Sequence, residues 1–326
     1  MTIDEASKLR GATYIPARVF NAQQMWRDYD RATIERDLAF AAKLKLNALR
    51  VFLSYDYWLS DRGRLENSLY HLAHSASALK IRILPVLFDC CGAEPTEESL
   101  NDRDPKTAAW LRSPGSELIN DRSNWFAIED YVNWFMQRWA HEHRMMALEV
   151  INEPATTAEF KFARQMFARA ARLRKSLPLT FGARRFEDSR LLQDLGLDLL
   201  SLHENFHSFE SSLRPALDRA AQTQEILSRP VLLTEWQRLR PNGDDDWQPA
   251  YATMAGIIRE YPLGQFFWSL MLRPSHQGKP NALSGVFHES GAVWSLADAR
   301  AIRGDGDFSS EEKPKRPDWL NPGSEA

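Results

Sequence analysis

The chain has 326 residues, 44% of them hydrophobic, with 15 Gly and 17 Pro, so it can bury a large core without dividing into several domains. Its 41 Lys and Arg against 44 Asp and Glu leave a formal charge of -3, which offers no long-range field for nucleic acid or an anionic membrane. Only two cysteines occur, Cys90 and Cys91, and their adjacency discourages a mutual disulfide, so they read as inert thiols near a strand end. Met1 to Arg10 carries acidic residues and no apolar run, and no window approaches a membrane span. The expectation is therefore no secretory leader, a cytoplasmic location, and no membrane or nucleic-acid partner.

The first apolar, β-rich run covers 11–15, and similar runs follow at 47–52, 81–88, 147–151, 179–182, 199–202, 231–233 and 265–268. The intervening segments 32–44, 125–139, 159–175 and 213–226 carry apolar residues at three- and four-residue spacing and read as amphipathic crossover helices. Such alternation predicts βα units on a parallel sheet. Eight repeats without a break in composition favour an α/β fold closed as a (β/α)8 TIM barrel, a single domain over 1–303, because closure removes both sheet edges. Three long connections, 89–124, 238–247 and 273–294, all follow strands and would gather at the strands' C-terminal face, where barrels build their sites. The remaining stretch, 304–326, is rich in Gly, Pro, Ser and charge and reads as a loosely attached tail.

Two of the runs end in chemistry. In Ala-Leu-Glu-Val-Ile-Asn-Glu-Pro, residues 147–154, Asn152 and Glu153 close the fourth strand, and Pro154 stops the pairing ladder. In Val-Leu-Leu-Thr-Glu-Trp, residues 231–236, Glu235 does the same for the seventh. Two strand-end carboxyl groups facing each other across a barrel mouth are what glycoside hydrolysis requires, one to protonate the departing oxygen and one to meet the positive charge at the anomeric carbon. Direct attack by the second would retain configuration and needs carboxyls about 5–5.5 Å apart.

With Asn-Glu-Pro at the fourth strand and a strand-end Glu at the seventh, the chain resembles glycoside hydrolase family 5 and, more broadly, the clan A barrel glycosidases. The resemblance spans nearly the whole barrel. It implies Glu153 as acid/base, protonated near neutral pH, and Glu235 as nucleophile in a double displacement on β-linked gluco- or manno-type oligosaccharides or glycosides, with a carbohydrate as partner and no metal or organic cofactor. It further implies that Arg50, in Asn-Ala-Leu-Arg-Val-Phe, hydrogen-bonds the nucleophile, that Asn152 contacts the sugar 2-hydroxyl, that His203 joins the same network, and that Trp268 lies beneath the sugar. Trp236, beside Glu235, is a second candidate for sugar contact. Two departures stand out: Glu204 and Asn205 follow His203 where the family has His-x-Tyr, and the third strand ends Leu87-Phe88-Asp89 where many members carry a histidine.

Other readings remain open on these residues. Glu153 could open the following helix, Arg50 could serve a structural ion pair, and His203 could be a packing residue. Of the 11 tryptophans, Trp134 and Trp139 read as core and Trp58 as a strand-end residue. His141-Glu142-His143 and the His71/His74 pair lack a third ligand at convincing spacing and read as solvated helix ends. No P-loop, dinucleotide fingerprint or Gly-x-Ser-x-Gly elbow occurs. Transglycosylation at the same site, or sugar binding without turnover given the missing tyrosine, are the rival functions.

Overall fold

The computed structural model describes residues 1–205, 210–242, 246–275 and 281–320. Among them eight parallel strands form a nearly closed barrel: β1 (Arg10–Thr13), β2 (Ala48–Phe52), β3 (Arg82–Asp89), β4 (Leu148–Asn152), β5 (Leu179–Gly182), β6 (Leu200–Asn205), β7 (Val231–Gln237) and β8 (Gly264–Trp268). Each falls on one of the runs expected from sequence. The observed strands extend further toward the C-terminal end at β3, β4, β6 and β7, through the polar residues Asp89, Asn152, His203 to Asn205 and Thr234 to Gln237. Hydrophobic patterning cannot see those ends, since side chains such as Asn152 and Glu235 face a cavity and not the core.

The apolar outer faces of the strands pack under the helices Arg31–Lys43, Tyr55–Ala78, Trp125–Trp139, Thr157–Leu173 and Glu210–Leu227, which is where most of the core sits. Trp134, Trp139 and Trp58 all belong to that layer. Trp58 stands on the helix after β2, stacked with Tyr55, and not at a strand end. At the opposite end the barrel is plugged by Leu84, Leu232 and Phe266, capped by Ala6 and Leu9. The cysteines lie just past β3, Cys90 buried and Cys91 half-buried.

The barrel is seamed between β5 and β6. The crossover there is the 3-10 segment Phe186–Leu195, and the two strands share no regular ladder. Hydroxyl groups bridge the gap: Thr180 Oγ1 donates to the Leu199 carbonyl at 2.9 Å, Ser201 Oγ donates to the Phe181 carbonyl, and the Ala183 amide donates to Ser201 Oγ at 3.0 Å. Backbone groups that a ladder would have satisfied are thereby paired.

The expected loose tail is a correction for its described part. Phe308 and Leu320 are buried, the Val293 amide donates to the Glu311 carbonyl, and the Lys313 amide donates to the Val293 carbonyl, so 305–320 is bound along the last connection. Two apolar anchors amid a polar composition suffice to dock it. Residues 321–326 lie outside the described residues. No helix among those described is long and apolar enough to cross a membrane.

Candidate active site

A β-bulge aims each carboxylate. Pairing of β4 with β5 shifts between Glu149 and Asn152, so both of these side chains reach Arg50 inside the barrel. Likewise β7 carries an extra residue relative to both neighbours, pairing Leu202 with Leu233 but His203 with Glu235. Trp236, next in line, therefore points outward. It is 1% exposed and packs edge-on to Tyr251 and beside Phe267 in the helix layer, which removes it from the sugar-contacting candidates. Strand alternation is the reason: adjacent residues face opposite sides, so Glu235 and Trp236 cannot share the cavity.

Glu153 follows β4 with φ of 44°, a left-handed conformation rare outside glycine, held by its amide donating to the Gly182 carbonyl at 2.8 Å. The helix behind it begins only at Thr157, capped by Thr156 through a reciprocal bond with Glu159, so Glu153 stands ahead of the helix and not in its first turn. Gly182 is required here for another reason. A Cβ on it would come within 2.4 Å of Glu149 Oε1 and 2.5 Å of Asn152 Oδ1.

Arg50 is fully buried and chelated. Its Nε and Nη2 donate to the two oxygens of Glu149 at 2.9 and 2.6 Å, Nη2 also donates to Asn152 Oδ1 at 2.7 Å, and Nη1 donates to Glu235 Oε2 at 2.9 Å. Both alternatives open for Arg50 are thus realised at once, a structural ion pair with Glu149 and a contact to the strand-end Glu235. Burial alone would lower its pKa, but the charge and hydrogen bonds of Glu149, followed by the charge of Glu235, hold it above its ordinary value. Asn152 in turn donates to Asp89 Oδ1 at 2.9 Å, and Asp89 Oδ2 accepts from the indole of Trp110 at 2.6 Å. Burial pushes the Asp89 carboxyl up to about 7.

The other oxygen of Glu235 accepts from Asn205 Nδ2 at 2.9 Å. The departure from His-x-Tyr therefore leaves the carboxylate with a donor from the same strand, an amide in place of a phenol. Asn205 was visible in the sequence only as a mismatch.

Glu153 is bound differently. His203 Nδ1 meets its Oε1, Cys91 Sγ donates to its Oε2 at 3.1 Å, and His203 Nε2 contacts Thr234 Oγ1 at 3.1 Å. Burial raises the Glu153 pKa, but the hydrogen bond and charge of His203 outweigh it and bring the group down to about 2. Burial also opposes a charge on His203, and the charge of Glu235 together with the bond to Glu153 outweighs that and raises it. Against the expectation that burial and its partner's charge keep Glu153 protonated, the contact with His203 favours an ionised carboxylate beside a protonated imidazole.

Asn152, Glu153 and Glu235 line a cavity of ≈ 400 Å³ whose walls include Phe52, Cys91, Trp110, Arg184 and Trp268. Trp268 and Trp110 stand edge to face, 5.8 Å between centroids, and each also meets Phe52. Arg273, fully buried behind them, lies 5.2 Å from the Trp110 ring and 5.7 Å from that of Trp268, a cation against two aromatic faces. Of the residues expected to make a site, Arg50, Asn152, Glu153, His203, Glu235 and Trp268 come together. Glu149, Cys91, Trp110 and Arg184 were not anticipated. Glu149 alone had a legible signal, since a carboxylate amid an apolar strand needs a buried cation, and Arg50 interrupts the apolar run of β2.

Glu153, His203 and Glu235 are also the group whose ligand atoms lie close enough to gather on one ion, within 4.8 Å of one another. Both nitrogens of His203 are engaged by Glu153 and Thr234, so an ion would have to displace one of those bonds.

An eight-stranded α/β barrel with its polar groups gathered at the C-terminal strand ends is the class of protein defined by this geometry. Neither a protein-family profile nor a curated protein matches the sequence. Solved structures do. The chain is similar to an exo-β-1,4-mannosidase, Op5Man5, from Opitutaceae bacterium strain TAV5, at 15% identity and a TM-score of 0.66, over 93% of this chain and 62% of that one. It therefore spans less than two thirds of that protein's length. It is also similar to GH5_18 from Streptomyces cattleya in complex with GlcNAc, at 14% identity and 0.60, over 94% and 82% of the two chains. A third is the endo-1,4-β-D-mannanase of Thermotoga petrophila RKU-1, at 11% and 0.62, over 91% and 98%. At these identities the likeness establishes the barrel fold.

Proposed function

We propose that the protein is a retaining β-glycosidase that cleaves β-linked gluco- or manno-configured oligosaccharides or glycosides, with Glu153 as acid/base and Glu235 as nucleophile on one barrel spanning 1–303. The observation that carries the reading is the facing pair itself: carboxylate oxygens of Glu153 and Glu235 approach within 4.8 Å across the cavity. With one oxygen of each group that near, the pair is compatible with the roughly 5–5.5 Å carboxyl separation of direct attack, which supports retention over inversion. Their partners support the division of labour. Glu235 faces Arg50, a cation that does not give up its proton, whereas Glu153 faces His203, which can.

In the first half-reaction the proton held by the Glu153–His203 pair passes through Glu153 to the leaving oxygen as Glu235 attacks the anomeric carbon. In the second, the pair takes a proton from water, which displaces Glu235. Asn152, fixed by Arg50 and Asp89, faces the 2-hydroxyl. Likeness to an exo-β-1,4-mannosidase and an endo-1,4-β-D-mannanase favours the manno configuration among the substrates. A binding-only role loses its main support because Asn205 supplies a donor to Glu235. Transglycosylation would differ only in the acceptor of the second half-reaction, which product analysis separates.

The test is hydrolysis of aryl β-mannosides, β-glucosides and β-xylosides by wild type, Glu153→Ala and Glu235→Ala, with added azide and NMR of the anomers. The expected result is a loss of about a thousandfold or more in both variants. Azide should yield a β-azide from Glu153→Ala and an α-azide from Glu235→Ala. Wild type that binds but never cleaves a broad panel would end the reading.

A further inference from the structure

Cys91 is the wall residue that the proposed reaction does not use, although it touches the acid/base directly. It sits just past β3, half-buried, with its sulfur 3.1 Å from Glu153 Oε2 and 3.7 Å from Asn152 Nδ2. Its own amide is anchored by donating to Asp89 Oδ1 at 2.9 Å, so the thiol is carried by the same carboxylate that fixes Asn152. Glu153 thus lies between two donors, His203 on Oε1 and Cys91 on Oε2, with its backbone already committed to a left-handed turn.

We propose that Cys91 is a positioning residue for the acid/base, its thiol setting the rotation of the Glu153 carboxyl group so that it meets the leaving oxygen. The proposal rests on the reading of Glu153 as acid/base. A thiol suits the task because it is a weak donor: it orients the carboxylate without competing with His203 for the proton. Burial first, then the charges of Asp89 and Glu153, push the Cys91 thiol well up, so it stays protonated and remains a donor throughout the working range.

Several charged groups face this pair. His203 approaches from β6, Arg184 from beyond β5, Glu235 from β7 and Asp89 from β3. Arg184, like His203 and the thiol, favours the ionised form of Glu153, whereas burial and the other carboxylates oppose it. Removing the thiol leaves His203 and Arg184 to hold the carboxylate ionised, so the loss falls on its aim and is felt only where the leaving group needs a proton. A residue that merely filled space would cost both kinds of leaving group alike.

The experiment compares wild type, Cys91→Ala and Cys91→Ser on two β-glycosides of the preferred sugar, a dinitrophenyl glycoside that leaves without acid assistance and an unactivated disaccharide that needs it. For Cys91→Ala, kcat on the disaccharide should fall roughly threefold to tenfold with KM little changed. On the dinitrophenyl glycoside the first, glycosylation, step should be nearly unaffected. Cys91→Ser, which keeps a donor, should restore most of the loss. Equal losses on both substrates, or a Cys91→Ser variant no more active than Cys91→Ala, would overturn the proposal.

A second readout stands apart from catalysis. The infrared S–H stretch of Cys91, assigned as the band missing in Cys91→Ala, should move to higher frequency in Glu153→Ala when its acceptor is removed. If the protein cleaves no glycoside but the band moves, the proposed reaction fails while the contact stands. A band that does not move ends the Cys91 proposal whatever the activity.

Discussion

The two sides of the cavity are built on different chemistry. On the β2 and β7 side, Glu235 is gripped by a guanidinium that is itself saturated by Glu149 and Asn152, all of it buried. On the β3 and β6 side, Glu153 is met by an imidazole and a thiol, groups whose protons are exchangeable or weakly shared, next to the seam where the barrel lacks a regular ladder. The first side fixes a charge and the second accommodates a moving proton. A double displacement needs both, because one carboxyl must remain a nucleophile while the other alternates between acid and base.

Breaking the fixed side should cost the most. Arg50→Ala leaves Glu149 and Glu235 buried without a counter-charge and should destabilise the fold by about 3–5 kcal/mol in denaturant titration. Replacing Arg50 and Glu149 together by Met and Leu should recover much of that stability without restoring activity, which separates the structural half of the network from the catalytic half. Gly182→Ala, which drives a methyl group into the same two acceptors, should also destabilise and lower activity.

On the proton-sharing side, His203→Ala should reduce turnover of unactivated substrates by roughly tenfold to a hundredfold while sparing dinitrophenyl glycosides. Its pH signature in stability has a definite sign. Glu153 is depressed from 4.5 to about 2, so its contribution is present above 4.5 and is lost as pH falls toward 2. His203 is raised from 6.5, so its contribution is present below 6.5 and is lost as pH rises through its folded value. The difference in melting temperature between wild type and His203→Ala should therefore be widest between pH 4.5 and 6.5 and shrink on either side.

Smaller effects sharpen the contrast. Asn205→Ala should lower kcat about threefold to tenfold, the value of one amide hydrogen bond to a charged oxygen, with the alkaline limb unmoved because Glu153 is untouched. Trp268→Ala should raise KM, whereas Trp236→Phe should change stability alone, since Trp236 packs beneath the helices. A Trp236→Phe variant with a raised KM would contradict the outward orientation of that ring.

Much of the site was legible because barrel chemistry sits where a strand's apolar run stops. Asn152, Glu153 and Glu235 follow such runs directly, and Arg50 interrupts one, where a lone charge must find a partner. Trp236 was misread from its neighbour alone: with Glu235 turned into the cavity, strand alternation turns the next residue to the helices. The missing tyrosine likewise looked like a gap until Asn205 was found bonded to Glu235. Cys91 and Trp110 come from the long connection after β3, whose path no periodicity describes.

The sequence by itself determined the eight strands, four of the helices between them and the strand-end carboxylates, because burial of alternating apolar faces and the demand for partners act locally along the chain. Only the tertiary structure decided that Arg50 binds Glu149 and Glu235 together, that His203 and Cys91 clasp Glu153 from opposite sides, and that His203 favours the ionised form of that carboxyl group. Those outcomes depend on distances between residues 50 to 185 positions apart, and on how burial and neighbouring charge compete at each of them.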